Sequence, residues 1–165
     1  MIIKGKIWKY GDNINTDIIF PGEYTYTISD PEEMAKHALE NLDPEFIKKV
    51  KKGDVIVAGK NFGCGSSREQ APISIKYAGV GAIIAESFAR IFFRNAINIG
   101  LALIQNKDVP RMARVGDDIE VDFEGGKILY QQEIFTFPPL SKEVMGILES
   151  GGLIQFTRKR LGIKD

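Results

Sequence analysis

Two uninterrupted apolar runs, Val55-Ile56-Val57-Ala58 and Ala82-Ile83-Ile84-Ala85 after Gly81, stand out along the chain. Runs of this length without polar alternation predict strands covered on both faces, as in a parallel sheet. Leu101-Ala102-Leu103-Ile104 predicts a third. Ala71, Ile75 and Ala78 between the first two runs, and Phe88, Ile91, Phe92 and Ala96 between the second and third, recur at helical spacing. Strand, helix, strand, helix, strand predicts an α/β core built on a mostly parallel sheet.

The flanks follow other patterns. Residues 4–10 read as a strand, and residues 12–27 are rich in turn-forming and polar types. Residues 31–39 predict a helix opened by Ser29 or Asp30, with Pro31 at its first position. Beyond the core, Ile119, Val121 and Phe123 alternate with acids, Gly125-Gly126 turns the chain, and Ile128 and Tyr130 follow. That is a β-hairpin signature and predicts a smaller antiparallel β layer. Residues 141–148 predict a helix broken at Gly151-Gly152, and a short basic helix closes the chain. No repeat or linker interrupts residues 1–165, so one domain is expected.

Composition narrows the chemistry. Hydrophobic residues are 44% and charged residues 27% of the chain, within the range of folded globular domains. Lys plus Arg and Asp plus Glu total 22 each, so no net positive field recommends nucleic acid as a partner. The sequence contains one cysteine, Cys64, and one histidine, His37, which excludes an intramolecular disulfide and leaves no zinc or iron–sulfur ligand set. No apolar stretch is long enough for a membrane span and no signal peptide is evident, so a cytoplasmic location is expected.

The segment richest in chemistry is Gly63-Cys64-Gly65-Ser66-Ser67-Arg68-Glu69, between the strand at 55–58 and the next helix. Its glycines allow strained backbone and close approach of a ligand, the helix start offers free amides to an anion, and Arg68 adds a planar fork for a carboxylate or phosphate. A dinucleotide loop would need a third glycine where Arg68 stands, and Gly59-Lys60-Asn61 lacks the hydroxyl that follows the lysine of a phosphate loop. Ser66 with Glu69 also reads as a capping box, which would make Ser66 a helix N-cap. Capping does not account for adjacent serines, an arginine and preceding glycines on one turn.

Those residues, with Asn61-Phe62 before them, resemble the catalytic loop of the swivelling domain of the aconitase superfamily. Asn15-Thr16-Asp17-Ile18-Ile19 with Pro21 resembles that domain's first loop, and residues 86–100 resemble its following strand and helix. The resemblance runs in consistent order from Ile3 to Arg160, and its size and starting point are those of the separate small subunits of isopropylmalate isomerases and homoaconitases. It implies a swivelling β/β/α fold and a hydro-lyase that moves a hydroxyl by dehydration and rehydration. It also implies a large partner subunit holding a 4Fe-4S cluster, in a heterodimer or heterotetramer, with no cofactor or metal bound by this chain. By the same resemblance Ser66 is the base, Asp17 an active-site aspartate, and Arg68, Ser67 and Gly65 hold a substrate carboxylate, while Asn15 and Thr16 support the loop.

In this family the chain after Pro21 contacts the variable side group of the substrate. Here it reads Tyr24-Thr25-Tyr26-Thr27, with Tyr26 where relatives often carry an arginine. Without that guanidinium a distal carboxylate would lack a partner, so Tyr24, Tyr26 and Thr27 imply a substrate with an apolar side group. Isopropylmalate fits, and 2,3-dimethylmalate, citramalate and homoaconitate are the alternatives. Tyr24 and Tyr26 also fit a short strand in which they simply pack. Gln70, where relatives often have histidine, is given a supporting role. Cys64 reads as a small packed residue, His37 as a partly covered one, and Arg90 and Arg94 receive no role. A serine hydrolase lacks a nearby histidine to act as base, and an RNA-binding module on the same fold would call for a basic face.

Overall fold

The computed structural model describes residues 1–164. Four strands run parallel: β1 (Ile2–Lys9), β2 (Val55–Ala58), β3 (Ala82–Ala85) and β4 (Ala102–Gln105). The other side of β1 pairs antiparallel with β5 (Asp118–Asp122), and β6 (Lys127–Tyr130) and β7 (Glu133–Thr136) follow. The result is one seven-stranded mixed sheet in the order β4-β3-β2-β1-β5-β6-β7. The smaller β layer expected from the hairpin is therefore the antiparallel half of this sheet, joined to the parallel half through β1. The sheet curls until its edges approach, and Asn106 Nδ2 just beyond β4 donates to the Thr136 carbonyl of β7 at 3.4 Å.

Each central strand feeds two cores because successive side chains point to opposite faces. Ile56, Ala58, Ile83, Ala85 and Leu103 pack on one face with Phe20, Phe46, Ile75 and Phe92. Val55, Val57, Ala82, Ile84 and Ile104 pack on the other with Phe123, Tyr130, Phe137 and Leu148. Ile56, Ile75, Ile83 and Ile84 are completely buried, each contributing roughly 1.5–3 kcal/mol of transfer free energy. The helices are α1 (Thr16–Ile19), α2 (Pro31–Ala35), α3 (Phe46–Lys49), α4 (Gln70–Tyr77), α5 (Arg90–Asn98), α6 (Val109–Met112), α7 (Lys142–Ser150) and α8 (Leu153–Arg160), with a 3-10 turn at Gly22–Tyr24. Among the described residues no helix is long and apolar enough to cross a membrane.

Several expectations need adjusting. The helix expected over 31–39 stops at Ala35, after Asp30 has capped it by accepting from Glu33 N. Leu39 leaves the helical path at φ 56° because its amide donates to the Ile19 carbonyl, which seats its side chain in the core. Tyr24 and Tyr26 lie in the 3-10 turn and the residues after it, not in a strand. Ser141 caps α7 by accepting from Val144 N, and Gly151 ends that helix in the left-handed conformation at φ 85°.

Candidate active site

In a parallel sheet, the loops leaving the carboxyl ends of the strands build the ligand site. Here the loops after β1, β2 and β3 meet at that edge and are wired together by their main chains. Gly63 N donates to the Ile14 carbonyl at 2.8 Å and Thr16 N to the Cys64 carbonyl at 2.9 Å. The Thr16 hydroxyl donates to the Ser66 carbonyl at 2.8 Å, while Asn15 Oδ1 caps α1 by accepting from Ile18 N at 2.9 Å. On the far side Ser87 Oγ accepts from Asn61 N at 2.8 Å. Gly63 has φ 82°, and a Cβ there would lie 2.1 Å from the Phe92 ring, so only glycine lets the loop pack down on α5.

The capping-box expectation does not hold. α4 begins at Gln70 with Glu69 as its N-cap, and no side chain supplies a capping bond. The chain needs residues 63–69 as a loop to reach Ile14 and Thr16, which moves the helix start past Ser66. Ser66 and Ser67 are exposed, and neither hydroxyl has a hydrogen-bond partner among the described residues. The amides of Gly65, Ser66, Ser67, Arg68 and Glu69 likewise find no protein acceptor there. A turn with free hydroxyls and a run of free amides suits an anion or a developing oxyanion.

Arg68 is the best-held side chain of the loop, only 18% exposed, with Nη2 2.5 Å from Asp17 Oδ1. Its Nη1 donates weakly to the Phe20 carbonyl at 3.5 Å. Gly22 makes room for this pair: a Cβ there would lie 2.8 Å from Asp17 Oδ1 and 3.0 Å from both Nη atoms of Arg68. The Asp17 carboxylate remains 61% exposed. With Nη2 on Asp17 and Nη1 only weakly held by the Phe20 carbonyl, the guanidinium keeps N–H donors to spare, so Arg68 can hold a carboxylate without releasing Asp17.

The loop forms a ridge between two hollows. One, about 380 Å³, is lined by Thr16, Ser66, Ser67 and Arg68 on one side and by Arg90, Arg94 and Asn95 of α5 on the other, with no carboxylate in its lining. The second, about 610 Å³, adjoins the same Ser66, Ser67 and Arg68 and is bordered by Thr25 and Tyr26. Gln70 Nε2 donates to the Thr25 carbonyl at 3.5 Å and ties that border to α4.

The structure thus brings Ser66, Ser67, Gly65, Arg68 and Asp17 together and sets Tyr26 at the mouth of the second hollow, 99% exposed. Tyr24 points elsewhere: its ring lies 4.1 Å from that of His37, and His37 Nδ1 is 2.7 Å from Glu40 Oε2. Partial burial, with the Glu40 and Glu23 carboxylates nearby, holds the Tyr24 phenol above its ordinary range. Thr27 is exposed and lines neither hollow. Arg90, Arg94 and Asn95 at the cleft were not anticipated; their signal was the one-turn spacing of the two arginines on a helix following a parallel strand. One thiol cannot carry an iron–sulfur cluster, and among the described residues no three His, Cys, Asp or Glu side chains gather into a metal site.

The family model for the aconitase C-terminal domain matches residues 4–108. The chain belongs to the aconitase C-terminal domain family. Among its relatives, the 3-isopropylmalate dehydratase small subunit of Thermodesulfovibrio yellowstonii is 49% identical over 100% of this chain and 99% of its own length. The isopropylmalate/citramalate isomerase small subunit of Methanocaldococcus jannaschii is 51% identical over 97% of this chain and 96% of its own. A crystal structure of 3-isopropylmalate dehydratase from M. jannaschii superposes with a TM-score of 0.91 at 47% identity, covering 99% of this chain and 97% of that one.

Proposed function

We propose that this chain is the small subunit of a two-subunit hydro-lyase that interconverts 2-isopropylmalate and 3-isopropylmalate by dehydration and rehydration, in leucine biosynthesis. The observation that carries the reading is end-to-end similarity, near half identity, to relatives named as small subunits of that enzyme. The cleft supports it: Arg68 beside two free serine hydroxyls, in a hollow whose lining carries no carboxylate, suits a hydroxy diacid.

In this reading Ser66 takes the proton from the carbon next to the carbinol and returns one after the alkene diacid has turned. A serine hydroxyl is a weak base, and the alkoxide it needs is stabilised by the free amides of 65–69 and by the Arg68 charge. Arg68 grips one substrate carboxylate with two parallel bonds, Ser67 adds a hydrogen bond beside it, and Asp17 holds the guanidinium plane. Activation of the departing hydroxyl is assigned to the large iron–sulfur subunit that the small-subunit relatives imply. Tyr26 stands at the cleft mouth, and no cation occurs between Gly22 and Thr27, so the variable side group of the substrate is apolar. The relative named for both isopropylmalate and citramalate makes citramalate the second reading; an aromatic wall that fits an isopropyl group also admits a methyl group, losing roughly 1–3 kcal/mol per missing methylene.

The deciding experiment is anoxic reconstitution with the large subunit. Interconversion of the two isopropylmalates, absent from either chain alone, is the expected result. A complex active only on citramalate, 2,3-dimethylmalate or homoaconitate would redirect the substrate assignment, and no activity on any hydroxy diacid would overturn the reading.

A further inference from the structure

α5 presents a face that the fold itself does not use. Arg90, at its first position, and Arg94, one turn later, are both exposed, and neither guanidinium has an ion-pair partner among the described residues. Both placements are unfavourable in the isolated chain: a cation at a helix N-terminus opposes the dipole, and like charges one turn apart repel. Some other surface cations are paired, as Lys4 is with Glu120, Lys6 with Asp118 and Arg111 with Glu86. Beside the arginines, Ile91 is 55% and Phe93 37% exposed. Beyond them a groove of about 550 Å³ opens between α5 and α7, floored by Phe88, Ile97, Leu140 and Val144 and bordered by no carboxylate.

We propose that this face docks an acidic segment of the large subunit, which places carboxylates on Arg90 and Arg94 and an apolar side chain in the groove beside Phe93. The inference rests on reading the chain as a small subunit and names the surface and chemistry of that association. Charge complementarity is the first support: unpaired cations with no internal acceptor gain most from an external anion. Arginine and aromatic side chains around an apolar floor are also the composition of interface anchors. Continuity with the catalytic cleft is the third support. Arg90 and Arg94 line both the groove and the hollow that holds Ser66 and Arg68, so a segment seated on them also walls that hollow. Docking and completion of the site are then one event.

The test is the affinity of this chain for the purified, cluster-loaded large subunit, measured without substrate at low and moderate salt. Arg90→Glu with Arg94→Glu is expected to weaken binding on the order of 100-fold and to flatten its salt dependence. Phe93→Ala, which leaves the charges in place, is expected to weaken it roughly tenfold. Lys48→Glu with Lys49→Glu on α3 is the charge-matched control, expected to change affinity by less than about threefold. Unchanged affinity in both α5 variants, with normal binding by the unaltered chain, overturns this surface and leaves the two-subunit reading standing. Failure of the unaltered chain to bind overturns that reading itself. A double variant that binds normally but raises KM assigns the arginines to substrate instead, and loss of self-association alone assigns the face to a second copy of this chain; either result overturns the proposal.

Discussion

The two ends of the same parallel strands treat an aspartate in opposite ways. At the amino edge, Asp54 precedes β2, is 4% exposed, and accepts from Lys6 N, Trp8 Nε1 and Lys51 N at 3.0, 3.0 and 2.9 Å. At the carboxyl edge, Asp17 is largely exposed and its single ion-pair partner is Arg68. Around Asp54 three donors converge on one side chain, whereas near Asp17 the Ser66 and Ser67 hydroxyls and the amides of 65–69 stand without protein acceptors. Native structures keep buried polar groups satisfied, as Asp54 is, whereas the exposed groups of the carboxyl edge are left available to a ligand. On the proposed reading, stability is concentrated at one end of the strands and chemistry at the other.

Substitutions at the two edges should separate accordingly. Ser66→Ala carries the largest expected effect: turnover of the reconstituted enzyme falls on the order of 10³-fold or more, with thermal stability unchanged, because the Ser66 hydroxyl bonds to nothing in the fold. Retained turnover would remove Ser66 as the base. Asp54→Ala is the opposite case. It strands two backbone amides and an indole N–H, so a loss of about 3 kcal/mol is expected in denaturant unfolding, with activity per folded molecule intact. An activity loss exceeding the folded fraction would show that the two edges are coupled.

How much of this was legible beforehand follows from the same division. The central strands were readable because Val55–Ala58 and Ala82–Ala85 are apolar on both faces, which few other elements require. β7 was not, since Glu133–Thr136 is short, mostly exposed and held chiefly by its pairing with β6. The 63–69 loop was legible as candidate chemistry but not as geometry. Ser66 and Glu69 satisfy the local rule for a capping box, and tertiary bonds from Ile14 and Thr16 override it by keeping 63–69 out of the helix. Tyr24 and Tyr26 looked equivalent by alternation, and only the 3-10 turn at Gly22–Tyr24 sends one ring onto His37 and the other to the cleft. Short helices such as α1, α3 and α6 leave too little periodicity to read.

Two smaller effects test whether the carboxyl edge works through fork geometry or through charge alone. Arg68→Lys retains the cation but loses the paired donors, so KM for the diacid is expected to rise roughly 30-fold with a smaller change in kcat. An unchanged KM would mean that the carboxylate is held elsewhere, with Arg90 or Arg94 the next side chains to vary. Gly22→Ala asks the finer question, because it leaves every charged group in place and only crowds the Asp17–Arg68 pair with a methyl group. The nearest atoms are the ends of flexible side chains, so the pair shifts by a few tenths of an ångström instead of breaking, and stability changes by less than about 1 kcal/mol. If Arg68 acts by directional bonding, that shift should raise KM about threefold, since paired hydrogen bonds weaken as they leave alignment. If Arg68 acts as a point charge, KM should not move, and the precision of the amino edge would have no counterpart at the carboxyl edge.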